Sequence, residues 1–320
     1  MTRVGLFLNP GADLEPALAL ARRADALGYD SLWVTHGAGR DALLVLSAYG
    51  AVAARAGLGT GIVPVYPRHP VLLAQEALTL QDMAQGRLRL GIGVSHRPNM
   101  VDGLGLDMGQ PLEVIREYVA VLRAALTGTV AHAGPRYRVA WQSGLVRRPE
   151  PPPILLAGLA PKMLELAGEI ADGVVLWLCA PAYIRGQALP ALRRGRERAG
   201  KPLAGFEVVA AVPLALTADA AAGAAQFRAE LGRYLALPFY RTMLELSGFG
   251  DDLRAWERRP SPDAISDRLV SALAGIGDYR VLGAFVEAHR EAGVTLPALR
   301  PIGFPDAPHY LSTVEAGINC

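Results

Sequence analysis

Eight short apolar runs rich in β-branched residues recur along the 320-residue chain: Val4–Leu8, Ser31–Val34, Leu58–Val63, Leu88–Ile92, Ile154–Ala157, Val174–Leu178, Phe206–Leu214 and Val294–Leu299. Between them lie longer stretches with helical periodicity, among them Leu14–Leu27, Ala42–Ala56, Val71–Met83, Leu112–Leu126, Lys162–Ile170 and Tyr279–Ala292. Strands that alternate with helices run parallel, and eight such units close into a (β/α)8 TIM barrel. The runs are nearly continuous rather than alternating, as in a sheet covered on both faces. Asp13 offers an N-cap for the first helix and Gly28 a left-handed C-terminal stop.

A prior of about 150 residues per domain would divide the chain in two. Single α/β barrels, however, commonly reach roughly 250 residues or more. Residues 1–320 are therefore read as one barrel domain with insertions at about 93–152 and 236–277, after the fourth and seventh strands. The first insertion holds a helix, a segment "HAGPRYRVAW" that reads as a hairpin, and the proline-rich "RRPEPPP". The second is mostly helical, with aromatics at Phe239, Tyr240, Phe249 and Trp256. Long connections at the C-terminal ends of barrel strands commonly serve as functional lids.

With 51% hydrophobic and 19% charged residues, the chain can bury a large core. No apolar run reaches the roughly 18 residues of a membrane span, and the N-terminal apolar stretch is too short for a signal peptide. Two cysteines, Cys179 and Cys320, supply neither a disulfide framework nor a zinc set, so a reducing, cytoplasmic setting is expected. A net charge of +2 does not argue for nucleic acid. Only Lys162 and Lys201 are lysines, a bias that GC-rich codons for arginine account for.

Function in a barrel gathers at the C-terminal mouth. His36, His69 and His96 follow the second, third and fourth strands. His69, beside Arg68 and just before a helix, reads as a solvated capping residue. No metal is expected, because only Asp41 joins these histidines and catalytic zinc takes three protein ligands. "GLGTG" and "GIGVS" lack the third glycine of a dinucleotide fingerprint, and no P-loop occurs. In "ILLAGLAPKMLELAG", Pro161 and Lys162 open a helix whose free amides suit a phosphate; an ordinary turn with a solvated lysine is the competing reading.

Three stretches together resemble the bacterial luciferase-like superfamily, in its branch of deazaflavin (coenzyme F420)-dependent oxidoreductases. They are "GYDSLWVTH", "GTGIVPVYPRHPVLLAQEALTLQDMAQGRLRLGIGVSHRPN" and "ILLAGLAPKMLELAGEIADGV". The likeness runs from residue 1 to about 215, thins over 216–277 and returns weakly in the last strand. It implies a cis peptide between Gly61 and Ile62, with Ile62 and Val63 backing the ring system and Pro64 and Pro67 stiffening the exit. It also implies coenzyme contacts from Gly93, Val94, Ser95, His96 and Asn99, and a phosphate site at Gly158, Leu159 and Lys162.

Some relatives carry a glutamate, proposed as a proton donor, where His96 stands. Deazaflavin chemistry moves hydride, so a group titrating near neutrality must handle the proton. His96 is expected as the donor and His36 as the group that orients ring or substrate. A small organic substrate would lie between the deazaflavin and the insertions. Trp177, ending the sixth strand, is expected mainly as barrel packing. Two alternatives stand beside this reading: a flavin mononucleotide (FMN)-dependent luciferase-like monooxygenase, and a flavin-binding barrel without turnover. Dimers are common in the superfamily, so a homodimer is one possible state and the oligomeric state is left open; no nucleic acid or membrane partner is expected.

Overall fold

The computed structural model describes residues 3–320. Eight parallel strands close on themselves: β1 (Gly5–Phe7), β2 (Ser31–Val34), β3 (Gly57–Thr60), β4 (Leu88–Gly93), β5 (Ile154–Ala157), β6 (Gly173–Trp177), β7 (Glu207–Leu216) and β8 (Leu296–Pro301). Each pairs in parallel with its neighbours in sequence, and Gly5↔Ala298 joins β8 back to β1. The expected (β/α)8 TIM barrel is therefore present. Strand ends differ from the sequence reading by a residue or two, except at β3. There the expected run to Val63 breaks at Thr60, and a two-residue segment, Val63–Pro64, resumes pairing with β4 at Ile92 and Gly93.

The barrel interior is filled by Phe7, Trp33, Leu155, Val175, Val209 and Leu296. Trp33 is wholly buried, its indole N–H donating to Ser31 Oγ at 2.9 Å. Room for that ring comes from Gly59, where a Cβ would lie 2.3 Å from the indole. Helices cover the outside. In the helix Leu14–Leu27, Ala17, Ala21 and Ala24 recur at helical spacing and are buried, so the helix lies close on the sheet. Asp13 caps it by accepting the Glu15 amide, and Gly28 ends it at φ 95.

The N-terminal face is closed by charge. Arg3 contacts Asp30 and Glu207, each at 2.8 Å, while Arg89 reaches Glu207 at 3.1 Å and Asp30 at 3.4 Å. Two cations and two anions, in or just before β1, β2, β4 and β7, thus alternate around one ring. A barrel's N-terminal face reads as stability rather than catalysis.

The region after β4 contains a wide helical turn at Pro98–Gly103, the helix Pro111–Leu126 and the expected hairpin, Thr129–Ala133 paired antiparallel with Arg138–Gln142. Glu117 pins that hairpin by accepting the Tyr137 amide at 2.9 Å and contacting His132 Nε2 at 3.0 Å. The second insertion starts earlier than expected. The helix Ala220–Leu235, which follows β7 directly, reaches the C-terminal rim, where Glu230 meets Arg300 at the end of β8. The covering helix between β7 and β8 is instead Tyr279–Glu291, so the excursion runs from 217 until Gly275–Gly277 returns to pair with Leu214–Leu216 of β7. Both stretches are helical, and helical periodicity alone does not say which helix covers the sheet.

Candidate active site

The C-terminal mouth opens into a cavity of about 1260 Å³. Phe7 and Asn9 from the end of β1, Trp33 and Thr35 from β2, Trp177 from β6 and Arg300 from β8 form its walls, and Tyr234 of the helix Ala220–Leu235 closes one side. This exceeds the roughly 300–1,000 Å³ that usually holds one small ligand. The aromatic walls pack on one another: Phe7 meets Trp177 edge-on at 5.2 Å and Trp33 at 5.9 Å between centroids. Trp177 therefore both packs the barrel and lines the cavity.

The break in β3 borders this wall. The Gly61–Ile62 peptide is cis. A Cβ on Gly61 would lie 2.4 Å from the Phe7 ring, so only glycine lets the backbone rest there. Ile62 is half-buried and packs against the interior cluster that includes Phe7 and Trp33, whereas Val63 has no exposed surface and joins the layer under the helices. Val63 thus has no side-chain face to offer a ring, contrary to the expectation drawn for it. Side chains alternate along the chain, which sends neighbouring residues to opposite faces.

Gly93 continues the Ile62 surface, since its Cβ would lie 3.2 Å from the Ile62 side chain and 3.0 Å from Ala157. Val94, Ser95 and His96 follow half-buried, with Ser95 in the left-handed region at φ 59. Asn99 is exposed on the wide turn. Beyond β5, Gly158 is buried and Leu159 half-buried. Pro161 opens the helix Pro161–Ile170, and no side chain caps its start. Lys162 is exposed at that start and forms no ion pair among the described residues. Gly61, Ile62 and Gly93 are thus brought together, with Gly158 just after the next strand.

The histidines take separate roles. His69 is exposed and caps the helix Pro70–Met83, its Nδ1 accepting the Val71 amide at 3.3 Å, as the capping expectation had it. His36 Nδ1 accepts the Ala42 amide at 3.3 Å and lies 3.7 Å from Asp41. Asp41 caps the helix Ala42–Val52 and pairs with Arg68. Burial lowers the His36 pKa, reinforced by the Arg68 charge and opposed by Asp41. Because Nδ1 accepts, the neutral ring carries its proton on Nε2. Burial also lowers the pKa of His96. No hydrogen bond or ring contact joins His36 to His96 among the described residues, and neither lines the cavity. No group of three potential metal ligands occurs among the described residues.

A line of rings connects the two regions: His96 to Tyr240 at 5.7 Å, Tyr240 to Tyr234 at 4.9 Å, and Tyr234 to Trp177 at 6.5 Å. Phe7, Tyr234, Glu230 and Arg300 were not foreseen as site residues. Phe7 and Arg300 sit at strand C-terminal ends, a position that marks mouth residues once the barrel is assumed. Tyr234 and Glu230 belong to a helix that gave no such signal.

The family model described as luciferase-like monooxygenase matches residues 1–296. An uncharacterized protein of Mycobacterium tuberculosis is 31% identical over 306 residues, covering 83% of this chain and 82% of that one. The F420-dependent glucose-6-phosphate dehydrogenase of Nakamurella multipartita is 34% identical over 199 residues, 58% of each chain. Among solved structures, the coenzyme F420-dependent tetrahydromethanopterin reductase of Methanopyrus kandleri superposes with a TM-score of 0.83 at 22% identity, covering 99% of this chain and 97% of that one.

Proposed function

From the premise that this chain belongs to the luciferase-like monooxygenase family, we propose that it is an F420-dependent oxidoreductase moving hydride between the coenzyme and a small organic substrate. The observation that carries this reading is the mouth cavity of about 1260 Å³, large enough for a flat ring system and a second molecule, with the bare Gly61–Ile62 backbone at its border. The F420-dependent relative supports it from the sequence side.

The residues present fit such a coenzyme. Ile62, half-buried against the interior cluster, offers an apolar face to a ring, and Gly93 extends that face without a side chain. The uncapped helix start at Pro161, with Lys162 beside it, suits a phosphate through free amide and charge. When bound, deazaflavin supplies hydride chemistry without oxygen activation. Of the two histidines after β2 and β4, neither of which lines the cavity itself, we assign His96 the proton, from its protonated form, and His36, between the lining residues Thr35 and Gly37, the Nε2–H that orients ring or substrate.

Parallel titrations with F420 and FMN, followed by absorbance and then by anaerobic turnover, test the reading. Tighter F420 binding together with oxidation of its reduced form by an organic acceptor is expected. Preferred FMN binding with oxygen-dependent turnover would replace it by the monooxygenase alternative. F420 binding without oxidation by any acceptor would favour the barrel without turnover.

A further inference from the structure

The loop after β2 and the exit of the broken third strand are tied together by one arginine. Arg68 stands between the Val63–Pro64 segment and the helix Pro70–Met83, with 16% of its side chain exposed. Its Nη2 donates to Asp41 Oδ2, and its Nε donates to Glu76 Oε2 at 3.2 Å. The other carboxylate oxygen of Asp41 is also in use, since Oδ1 accepts the Leu43 and Leu44 amides at 2.9 and 3.1 Å. His36 Nδ1 lies 3.7 Å from Asp41 Oδ2, too far for a hydrogen bond, and accepts the Ala42 amide instead.

Two arrangements compete for that nitrogen. A neutral ring with its proton on Nε2 keeps the Ala42 amide. A protonated ring carries N–H on both nitrogens, cannot accept from Ala42, and gains by turning Nδ1–H to Asp41. Arg68 bears on the choice twice, because it occupies Asp41 Oδ2 and sets a positive charge near the imidazole. We propose that Arg68 is a positioning residue for His36: by holding Asp41 it keeps the imidazole neutral and docked on Ala42, with Nε2–H as its one donor. The inference rests on the role given to His36 in the function proposed above and deepens it. A ring held neutral orders a ligand by hydrogen bonding and leaves the proton to His96, so the two histidines do not exchange roles. His36 lies between Thr35 and Gly37, which line the cavity, so the orientation of its ring is felt at the mouth. Among the described residues, Arg68 and Asp41 are the charges that act on His36, with Glu76 beyond Arg68. Arg40, on the same loop, is turned to the Ala12 carbonyl. The direction of the His36 pKa agrees: burial lowers it, Arg68 lowers it further and Asp41 opposes.

Histidine NMR titration of the intact chain without coenzyme tests this, with the His36 signal identified among six histidines by its loss in His36→Asn. At pH 7.5 the ring nitrogen shifts of the parent should show the Nε2–H form. Arg68→Met should move the His36 midpoint upward by about one pH unit, since a cation is lost and an unpaired carboxylate is left beside the ring. Combining Arg68→Met with Asp41→Asn should bring the midpoint back close to the parent's, because asparagine caps the helix without the charge. Asp41→Asn alone should move it below the parent's, and carries the test if Arg68→Met does not fold. An Nδ1–H form in the parent, or an unmoved midpoint in either folded single variant, would overturn the proposal. A rise that persists in the double variant would also overturn it, because lost burial rather than Asp41 would then be the cause. The expected shifts in a chain that binds no F420 would support Arg68 in this role and overturn the function proposed above.

Discussion

The ring of His96, in the loop after β4, lies 5.7 Å from the ring of Tyr240, from the excursion after β7, with their planes at 52°. Tyr240 is buried, and burial of His96 lowers its pKa below the ordinary 6.5. As a proton donor His96 must act through its protonated form, whose population falls as pH rises through that lowered pKa. With reduced F420 as hydride source, turnover should therefore decline with a midpoint below 6.5. Tyr240→Ser admits water and should move the midpoint upward, whereas Tyr240→Phe should leave it in place. His96→Ala should lower the rate by about 10²–10⁴ with coenzyme affinity little changed. A pH–rate profile of the three variants decides it; an unmoved midpoint in Tyr240→Ser would place the titrating group elsewhere.

His36 separates a structural contact from a binding one. Its Nδ1 takes the Ala42 amide, leaving Nε2–H as the donor toward a ligand. His36→Asn retains an acceptor for Ala42 and should cost less stability than His36→Ala, which loses about 0.5–1.5 kcal/mol. Both should weaken F420 binding, because neither keeps Nε2–H. The lowered His36 pKa means that folding favours the neutral ring, so this contribution holds at neutral pH and is lost as pH falls below 6.5. Thermal melts at pH 5 and 7.5, paired with F420 titrations, separate the two effects.

Lys162 stands exposed at an uncapped helix start. If that start holds the coenzyme's phosphate, Lys162→Ala should weaken F420 binding by about 0.5–2 kcal/mol, since the backbone amides and helix dipole remain. Added salt should weaken the parent chain's binding more than the variant's. Identical salt slopes would leave Lys162 a solvated surface residue.

The ring of Arg3, Asp30, Arg89 and Glu207 at the opposite end should act on stability alone. Burial raises the Asp30 pKa, but the Arg3 hydrogen bond and the Arg89 and Arg3 charges outweigh it and hold the carboxyl below its ordinary value. Its stabilisation is thus present above the unfolded-state pKa and fades as pH falls through the folded one. Asp30→Asn should cost about 1–3 kcal/mol at neutral pH, between an exposed and a buried ion pair. The cost should shrink in acid, and F420 affinity should be unchanged. A variant that melts like the parent at pH 7 would show the ring contributes nothing.

The barrel itself was legible along the chain because its rules are local. Continuous apolar runs report burial on both faces, Asp13 and Gly28 mark helix ends by their own chemistry, and strand–helix alternation forces parallel pairing. The cis Gly61–Ile62 peptide and the capping role of His69 were also readable, the first from likeness to a family and the second from position. What the chain alone left undecided depends on closure. Glu230 and Arg300 are 70 residues apart, and Trp177 and Phe7 come from opposite halves of the chain. Their contacts leave no local pattern. Helical periodicity likewise could not show that Ala220–Leu235 reaches the mouth while Tyr279–Glu291 covers the sheet. Val63 was assigned to the ring face beside Ile62, although neighbours on an extended backbone point to opposite sides. Short-range chemistry determined the elements and their ends; the tertiary structure decided which distant side chains share the cavity, because only the closed barrel brings the ends of β1, β2, β6 and β8 around one space.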